Sequence, residues 1–306
     1  MSTNSFKSNI ENGILDLVWS LWSELGVRGV QRNHSKWAID LEALIAFTAA
    51  LGDLDPRLRD ETTDWCIEHN RWISGSRLKK IIKDDYAENP KIGEFIATVN
   101  EHSQARLPCG TKSRKFKSRE HSLTIDFGSP ALVVLRIRGM VGVGARAEVI
   151  FNFIASPSAQ YSASDLAQKS YFTKRRVADT LHELSESGLL RSRKKGNQLI
   201  YSFQHWQTFT VLLGTLPSIY LSWSAVFPYL LVILKAASNE SSTGSLKTFT
   251  ELKKLNEHRP IDVVLPPPPL EHKGKNFWPA FTGWAEDLIG PLSSGAIDSE
   301  LSLCAG

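Results

Sequence analysis

The most constraining feature of this sequence is the order of apolar patterns between residues 145 and 203. Three short stretches carry apolar residues at intervals of three and four, which is the spacing of amphipathic helices. Two strand-like runs follow, residues 189–193 and 199–203, and they flank a tight turn at Lys194-Lys195-Gly196-Asn197. The sequence therefore predicts three helices followed by a basic β-hairpin.

Capping residues delimit the second and third of these helices. Ser162, with Asp165 three residues later, is a capping-box pattern that begins the second helix. Thr173 begins the third helix and Gly188 ends it. The apolar residues of the third helix share one face and are Val177, Leu181 and Leu184. Residues that point away from that face are Lys174, Arg175, Ala178, Asp179 and His182.

The basic residues of this region stand where a DNA-reading helix and a wing would need them. A recognition helix enters the major groove by its N-terminal end, where the helix dipole favours phosphate. We expect base contacts from Thr173, Lys174, Arg175, Ala178 and His182. We expect phosphate contacts from Arg176 and, on the hairpin, from Arg191, Arg193, Lys194 and Lys195. Asp179 is unfavourable there, because its carboxylate repels phosphates unless an arginine or a cytosine amine receives it.

These segments resemble the winged-helix DNA-binding domains of bacterial ArsR- and MarR-type transcriptional regulators. The matching runs are SASDLAQKS, FTKRRVADTLHELSESGLL and RSRKKGNQLIYSF, and the most specific element is the L-x-x-L-x-x-x-G-L-L run from Leu181 to Leu190. The resemblance implies a winged helix-turn-helix that binds operator DNA. ArsR-type proteins often carry cysteine metal sites near the recognition helix, and because this chain has none there, metal sensing is not implied. The lead-in RIRGMVGVGARAEVIFNFI resembles a group of uncharacterised bacterial proteins with a helical N-terminal half.

The charge of the chain is concentrated in its middle third. In total, 36 Lys and Arg face 32 Asp and Glu, but residues 109–203 alone hold 16 basic and 7 acidic side chains. A polyanion-binding module has this pattern, and so does a solvated surface. The three cysteines are odd in number and widely spaced, which excludes a disulfide framework and a four-cysteine zinc site. We therefore expect a reducing, cytoplasmic location.

The first hundred residues predict a tryptophan-rich helical domain. A helix is expected from about Ile10 to Leu25, a second at residues 41–51 between Asp40 and Gly52, a third from Pro56 to about Asn70, and a fourth near residues 75–86. The tryptophans at these spacings are interpreted as core residues.

A basic segment, residues 110–122, follows this helical region. It holds five cations with a single acid, and it is interpreted either as a DNA-binding arm or as a solvated tether. The cations of the arm hypothesis are Lys112, Arg114, Lys115, Lys117 and Arg119.

Two further segments were interpreted by composition. Residues 197–234 contain no charged side chain, but Pro217, Pro228 and several serines favour a buried helix pair over a membrane span. Four consecutive prolines, 266–269, predict a stiff linker before an aromatic patch that suits one side of a helix docking back on the body. That patch consists of Phe277, Trp278, Phe281 and Trp284.

Other chemistries are less well supported by the sequence. Cys66 and His69 could share a helix face, but zinc needs at least three protein ligands. Gly139, Gly142 and Gly144 imitate part of a dinucleotide fingerprint without its strand-turn-helix context, and a linker between helices explains them. A set of acids could belong to a metal-dependent nuclease or nucleotidyltransferase: Asp53, Asp55, Asp60, Glu61 and Asp64.

Together these patterns predict a mainly α protein with a small α+β winged helix-turn-helix domain. The predicted regions are a helical domain (1–108) for dimerisation or for a partner or effector, a basic linker (109–130), the winged helix (131–203), a packed helical segment (204–264), and a Pro-rich linker with the aromatic segment (265–306). We expect a homodimeric transcriptional regulator that binds double-stranded DNA, without catalysis, cofactor, metal or membrane. The alternatives are a winged-helix adaptor or antitoxin-like protein with a protein partner and, less favoured, the nuclease or nucleotidyltransferase.

Overall fold

The computed structural model describes residues 3–29, 34–87, 89–118, 124–238, 242–261 and 264–296. This part of the chain is mainly helical and has one small antiparallel sheet. Its helices are α1 (Thr3–Glu24), α2 (Leu41–Leu51), α3 (Pro56–Glu68), α4 (Gly75–Asp85), α5 (Pro90–His102), α6 (Val133–Val141), α7 (Ala145–Ala155), α8 (Ala163–Ser170), α9 (Lys174–Glu186), α10 (Trp206–Leu213), α11 (Trp223–Ala237), α12 (Ser242–His258) and α13 (Phe277–Ser294). Its strands are β1 (Tyr161–Ser162), β2 (Leu190–Lys195) and β3 (Gln198–Phe203).

Capping chemistry sets the boundaries of the N-terminal helices, as the sequence predicted. The Asp40 carboxylate accepts from the backbone N–H of Ala43 at 3.1 Å and begins α2, which Gly52 ends with φ of +62°. Asp55 caps α3, accepting from two backbone N–H groups at 2.9 and 3.0 Å. The same signature, Asn89 before Pro90, begins α5, a helix that the sequence analysis had not singled out.

The chain divides into two compact units, Met1–His34 with Leu221–Ala305 and Ser35–Tyr220. The first contains α1, α11, α12 and α13. The aromatic patch lies on α13, as predicted, and three of its members are buried: Phe277, Phe281 and Trp284. Helices α1 and α13 approach closely at Gly13, where a Cβ atom would lie 2.4 Å from Ile289. The predicted docking helix is therefore confirmed within this unit.

The second unit contains α2 to α10 and the sheet. Helices α7, α8 and α9 surround a continuous apolar core that includes Phe153, Leu166 and Leu181. The strand order is β1-β3-β2, and both pairings are antiparallel. Strand β1 was not predicted, because two residues are too short to show alternation. Gly142 and Gly144, with φ of +83° and +145°, form the turn between α6 and α7, so the linker interpretation is confirmed for these two glycines. Gly139 instead lies within α6, so the interpretation is wrong for that residue.

The uncharged segment 197–234 separates into two different environments. Helix α11 is largely buried, as predicted. Helix α10 is not, because Val211 and Leu212 are 78% and 69% exposed, which corrects the prediction of a buried pair. Composition could not reveal this difference in burial, because an uncharged helix has the same apolar composition whether or not another element covers it. Among the described residues, none of the helices has both the length and the apolar character needed to cross a membrane.

Candidate nucleic-acid interface

The helix pair α8 and α9 is defined by two polar caps and one apolar face. The Ser162 side chain and Asp165 form a reciprocal capping box at the start of α8. Thr173 caps α9, with its hydroxyl oxygen accepting from the backbone N–H of Arg176 at 3.3 Å. The core-facing residues predicted for α9 are buried: Val177, Leu181 and Leu184. Both helices therefore begin where the sequence predicted.

The outward face of α9 presents cations at its N-terminal end. Thr173, Lys174, Arg175 and Arg176 are exposed in or beside the first turn, where unpaired backbone N–H groups add positive potential. Further along the helix Ala178 is half-buried and Asp179 is exposed. His182, also exposed, lies 3.5 Å from the carboxylate of Glu186, with which it pairs only when protonated. Positive charge on α9 is thus confined to the end that a phosphate or a base edge would meet first.

The hairpin of β2 and β3 carries the second group of cations. Its turn consists of Gly196 and Asn197 alone, and Gly196 has φ of +59°, which favours glycine. The strands are longer than predicted, since Lys194 and Lys195 are paired with Leu199 and Gln198. Because side chains alternate along a strand, Arg191, Arg193 and Lys195 share one face, and Lys194 lies on the other. All four are exposed; Lys194 and Lys195 adjoin the turn, and Arg191 lies near the base of the hairpin.

The cations of α9 and the hairpin form no close ion pairs within the part of the chain that the structure describes, although the positive charge of Arg176 helps to lower the pKa of Glu183. Among the described residues, no ion pair forms with any of the seven, which are Lys174, Arg175, Arg176, Arg191, Arg193, Lys194 and Lys195. We call this set the cationic surface. By contrast, Arg146 on α7 pairs with Glu183 on α9 at 2.5 Å, which lowers the pKa of Glu183. The cationic surface therefore keeps its charge available to an external anion.

The segment that follows α5 is partly anchored. The backbone N–H of Thr111 donates to Gly93 at 3.0 Å, and Arg114 pairs with Asp60 at 2.8 Å and lies over the ring of Phe116. Burial lowers the pKa of Arg114. Its side chain is thus engaged within the protein, whereas three other predicted arm residues are exposed: Lys112, Lys115 and Lys117. Arg119 lies outside the described residues.

A second group of charged residues, which the sequence pattern did not predict, is largely buried and joins α2, α4, α6 and α7. We call it the buried charge cluster, and it consists of Asp40, Glu42, Arg77, Arg138 and Glu148. Arg138 donates to both carboxylate oxygens of Glu42, at 2.8 and 2.7 Å, and to Glu148 at 2.7 Å. Arg77 donates to Glu42 at 2.8 Å and to both oxygens of Asp40. Two acids and two arginines are thus removed from water almost completely.

The ionisation of the cluster follows from its packing. Burial alone would raise the pKa of the Glu42 carboxyl, but Arg138 and Arg77 beside it lower that pKa to about 2. The pKa of each arginine is raised, because the attraction of the acids exceeds the effect of burial. A sequence signal existed: Glu42 and Arg138 are charged residues inside apolar runs, LEALIAFTAAL and ALVVLRIRGMV. Such residues are buried only when they are paired.

Three of the five acids of the nuclease hypothesis form structural contacts in this fold. Asp53 accepts from Lys91 at 2.8 Å and pairs with Arg59, Asp55 is a helix cap, and Asp60 pairs with Arg114. Glu61 and Asp64 are buried.

The part of the chain that the structure describes has no group of three or more His, Cys, Asp or Glu side chains that could hold a metal ion. Of its two free cysteines, Cys109 is exposed. Cys66 is buried, which raises the pKa of its thiol and keeps it protonated.

Comparisons of the chain with protein families, curated proteins and solved structures found no match.

Proposed function

We propose that this protein is a transcriptional regulator that binds operator DNA through a winged helix-turn-helix formed by residues 131–203. The observation that carries the proposal is the cationic surface: seven exposed cations, on the start of one helix and on one hairpin, without ion-pair partners among the described residues. Exposed cations of this kind bind phosphates by releasing counterions. The resemblance to ArsR- and MarR-type regulators supports the same function and a cytoplasmic location.

In the proposed complex, α9 lies in the major groove and the hairpin is the wing. The N-terminal turn of α9 meets the groove first, so Lys174 and Arg175 approach base edges and the helix dipole attracts phosphate. Arg176 and the four wing cations neutralise backbone phosphates and supply affinity without reading sequence. Discrimination between DNA sequences comes from a few base contacts. Arg175 is best suited to bind a guanine, because its guanidinium can donate two hydrogen bonds to that base. No catalytic step is required.

We further propose that the regulator acts as a homodimer whose contact includes α10. Operators with two half-sites match a two-fold protein, and one module alone binds weakly. Val211 and Leu212 are exposed on a helix from a stretch without charged residues, so two copies can meet there without repulsion between like charges. Sedimentation velocity tests this contact: the parent should be a dimer, and Leu212→Lys should be a monomer with unchanged circular dichroism. A Leu212→Lys protein that stays dimeric would exclude α10 from the interface.

Fluorescence anisotropy with labelled duplexes tests the DNA-binding function. Full-length protein is titrated into a duplex from the promoter region of its own gene and into a random duplex, across a series of salt concentrations. We expect tight binding that weakens steeply with salt and retains a preference for the promoter duplex. The slope of log affinity against log salt estimates the number of phosphates neutralised.

Absence of binding at low salt would reject this function. The adaptor alternative would then take its place, and co-purification of a stable protein partner would be its test. The double variant Lys79→Ala with Lys83→Ala is a matched control, because it removes two exposed lysines from α4 without changing the cationic surface.

A further inference from the structure

The turn between α8 and α9 contains a residue in an unfavourable backbone conformation. Tyr171 follows the last residue of α8 and has φ of +57° and ψ of +36°, the left-handed region. That region costs a residue with a Cβ about 1–2 kcal/mol. The tyrosine side chain is nevertheless buried, with 5% of its surface exposed. Surrounding contacts must therefore hold this turn in place.

Those contacts come from α4, a helix that precedes the helix-turn-helix by about 90 residues. The Nε–H of Arg77 donates to the carbonyl oxygen of Ser170, the C-terminal residue of α8, at 3.2 Å. The guanidinium carbon of Arg77 lies 5.8 Å from the centroid of the Tyr171 ring. The Tyr171 hydroxyl donates to Asp85 at 3.3 Å. One helix thus contacts the carbonyl, the ring and the hydroxyl of this turn.

Arg77 is itself held by the buried charge cluster. Its two terminal nitrogens donate to Asp40 and Glu42, and its Nε lies 3.5 Å from Glu148 on α7. Glu42 and Glu148 also bind Arg138 on α6. The guanidinium therefore has little freedom, and the position of the turn is tied to helices α2, α4, α6 and α7.

We propose that Arg77 and Tyr171 are positioning residues for sequence discrimination, because α4 holds the turn that orients α9. The proposal rests on the proposed DNA-binding function. Base contacts need donor and acceptor atoms in defined positions, whereas phosphate attraction tolerates small movements. Loosening the turn should lower discrimination between duplexes and leave the salt dependence of binding unchanged. The helical region before the winged helix is then part of the reading apparatus.

Two variants test this role without removing any cation of the interface. Tyr171→Phe removes the hydroxyl that contacts Asp85 and keeps the ring. Arg77→Lys keeps the positive charge but replaces the guanidinium, and with it the Nε–H that donates to Ser170, by an ammonium group. The control is Tyr201→Phe, which removes the hydroxyl of a buried tyrosine on β3 that has no hydrogen-bond partner among the described residues. Hydrogen-deuterium exchange is measured by mass spectrometry in peptides covering residues 168–178 and, for comparison, residues 190–203.

We expect exchange in residues 168–178 to be about 5- to 10-fold faster in both test variants, which corresponds to the loss at the turn of one hydrogen bond, from Tyr171 to Asp85 or from Arg77 to Ser170. Exchange in residues 190–203 should not change, and the control should match the parent in both peptides. In anisotropy titrations the ratio of promoter to random affinity should fall by a similar factor, with the same salt slope as the parent.

Three results would overturn the proposal. Unchanged exchange at the turn would show that α4 does not hold it, and equal acceleration in both peptides would show general loosening. Faster exchange at the turn with an unchanged ratio of promoter to random affinity would show that α4 holds the turn but does not contribute to sequence discrimination. A parent protein without preference for any duplex would instead reject the DNA-binding function, and the exchange measurement would still decide whether α4 holds the turn.

Discussion

The cationic surface and the buried charge cluster both contain arginines, but these arginines differ in exposure and in ion pairing. Arg175 and Arg193 are exposed and have no ion pair among the described residues, whereas Arg77 and Arg138 are buried and bind several acceptors each. An exposed, unpaired guanidinium adds little to stability but is ready to bind an anion. A buried one contributes to the fold only while its acids are present. Charge by itself therefore does not identify the interface; partners and burial do.

The largest expected difference between the two regions is in stability. Arg138→Met should lower the free energy of unfolding by about 3–5 kcal/mol, because it leaves Glu42 buried beside a single arginine. Arg193→Met makes the same chemical change on the exposed β2–β3 hairpin and should alter stability by no more than about 0.5 kcal/mol. Urea denaturation of the two variants measures both values. Equal losses would contradict the distinction between the regions.

Acid should weaken the buried charge cluster through Glu42. The pKa of Glu42 is about 2 in the folded protein, against an ordinary value of 4.5, so the unfolded chain takes up a proton first as the pH falls. The stabilisation is complete above about pH 4.5 and is lost as the pH falls toward 2, with a total of about 3 kcal/mol. Stability measured across this range should therefore fall steeply in the parent and less steeply in Glu42→Gln. If stability falls equally steeply with pH in the parent and in Glu42→Gln, protonation of Glu42 does not cause the loss.

Removal of one exposed arginine should affect recognition instead of stability. Arg175→Ala should reduce the preference for the promoter duplex over the random duplex by about 1–3 kcal/mol, since a base contact is lost. Anisotropy titration at one salt concentration measures the change, and Lys79→Ala, an exposed lysine of α4, is the control. If the variant discriminates as well as the parent, Arg175 does not read sequence.

The smallest effect per residue is expected at the tip of the wing. The double variant Lys194→Ala with Lys195→Ala should weaken binding to every duplex alike and lower the salt slope by about 2, one phosphate contact for each lysine. Its unfolding free energy should stay within about 0.5 kcal/mol of the parent value. A salt slope equal to that of the Lys79→Ala and Lys83→Ala control would exclude the wing from the phosphate contacts.

Much of the local structure could be predicted because it depends on neighbouring residues. Asp40, Asp55, Ser162 and Thr173 mark helix starts through hydrogen bonds that span only two or three positions. The buried faces of α9 and α13 follow from apolar spacing along one helix. The arm was harder to predict, because the same basic composition suits the exposed Lys115 and the paired Arg114.

The sequence by itself determined the capped starts of α2, α3, α8 and α9, the basic hairpin and the set of cations around it, all of which depend on local hydrogen bonds and apolar periodicity. It did not determine the start of α1, which begins at Thr3 instead of near Ile10, or the presence of α5. Only the tertiary structure decided which charges are available. Glu42 meets Arg77 35 residues later and Arg138 96 residues later, and Arg77 reaches Ser170 across 93 residues. Local spacing does not encode such pairings, because they form when separate helices pack and exclude water. The exposure of Val211 and Leu212 was decided in the same way, by which neighbours the fold brings to α10.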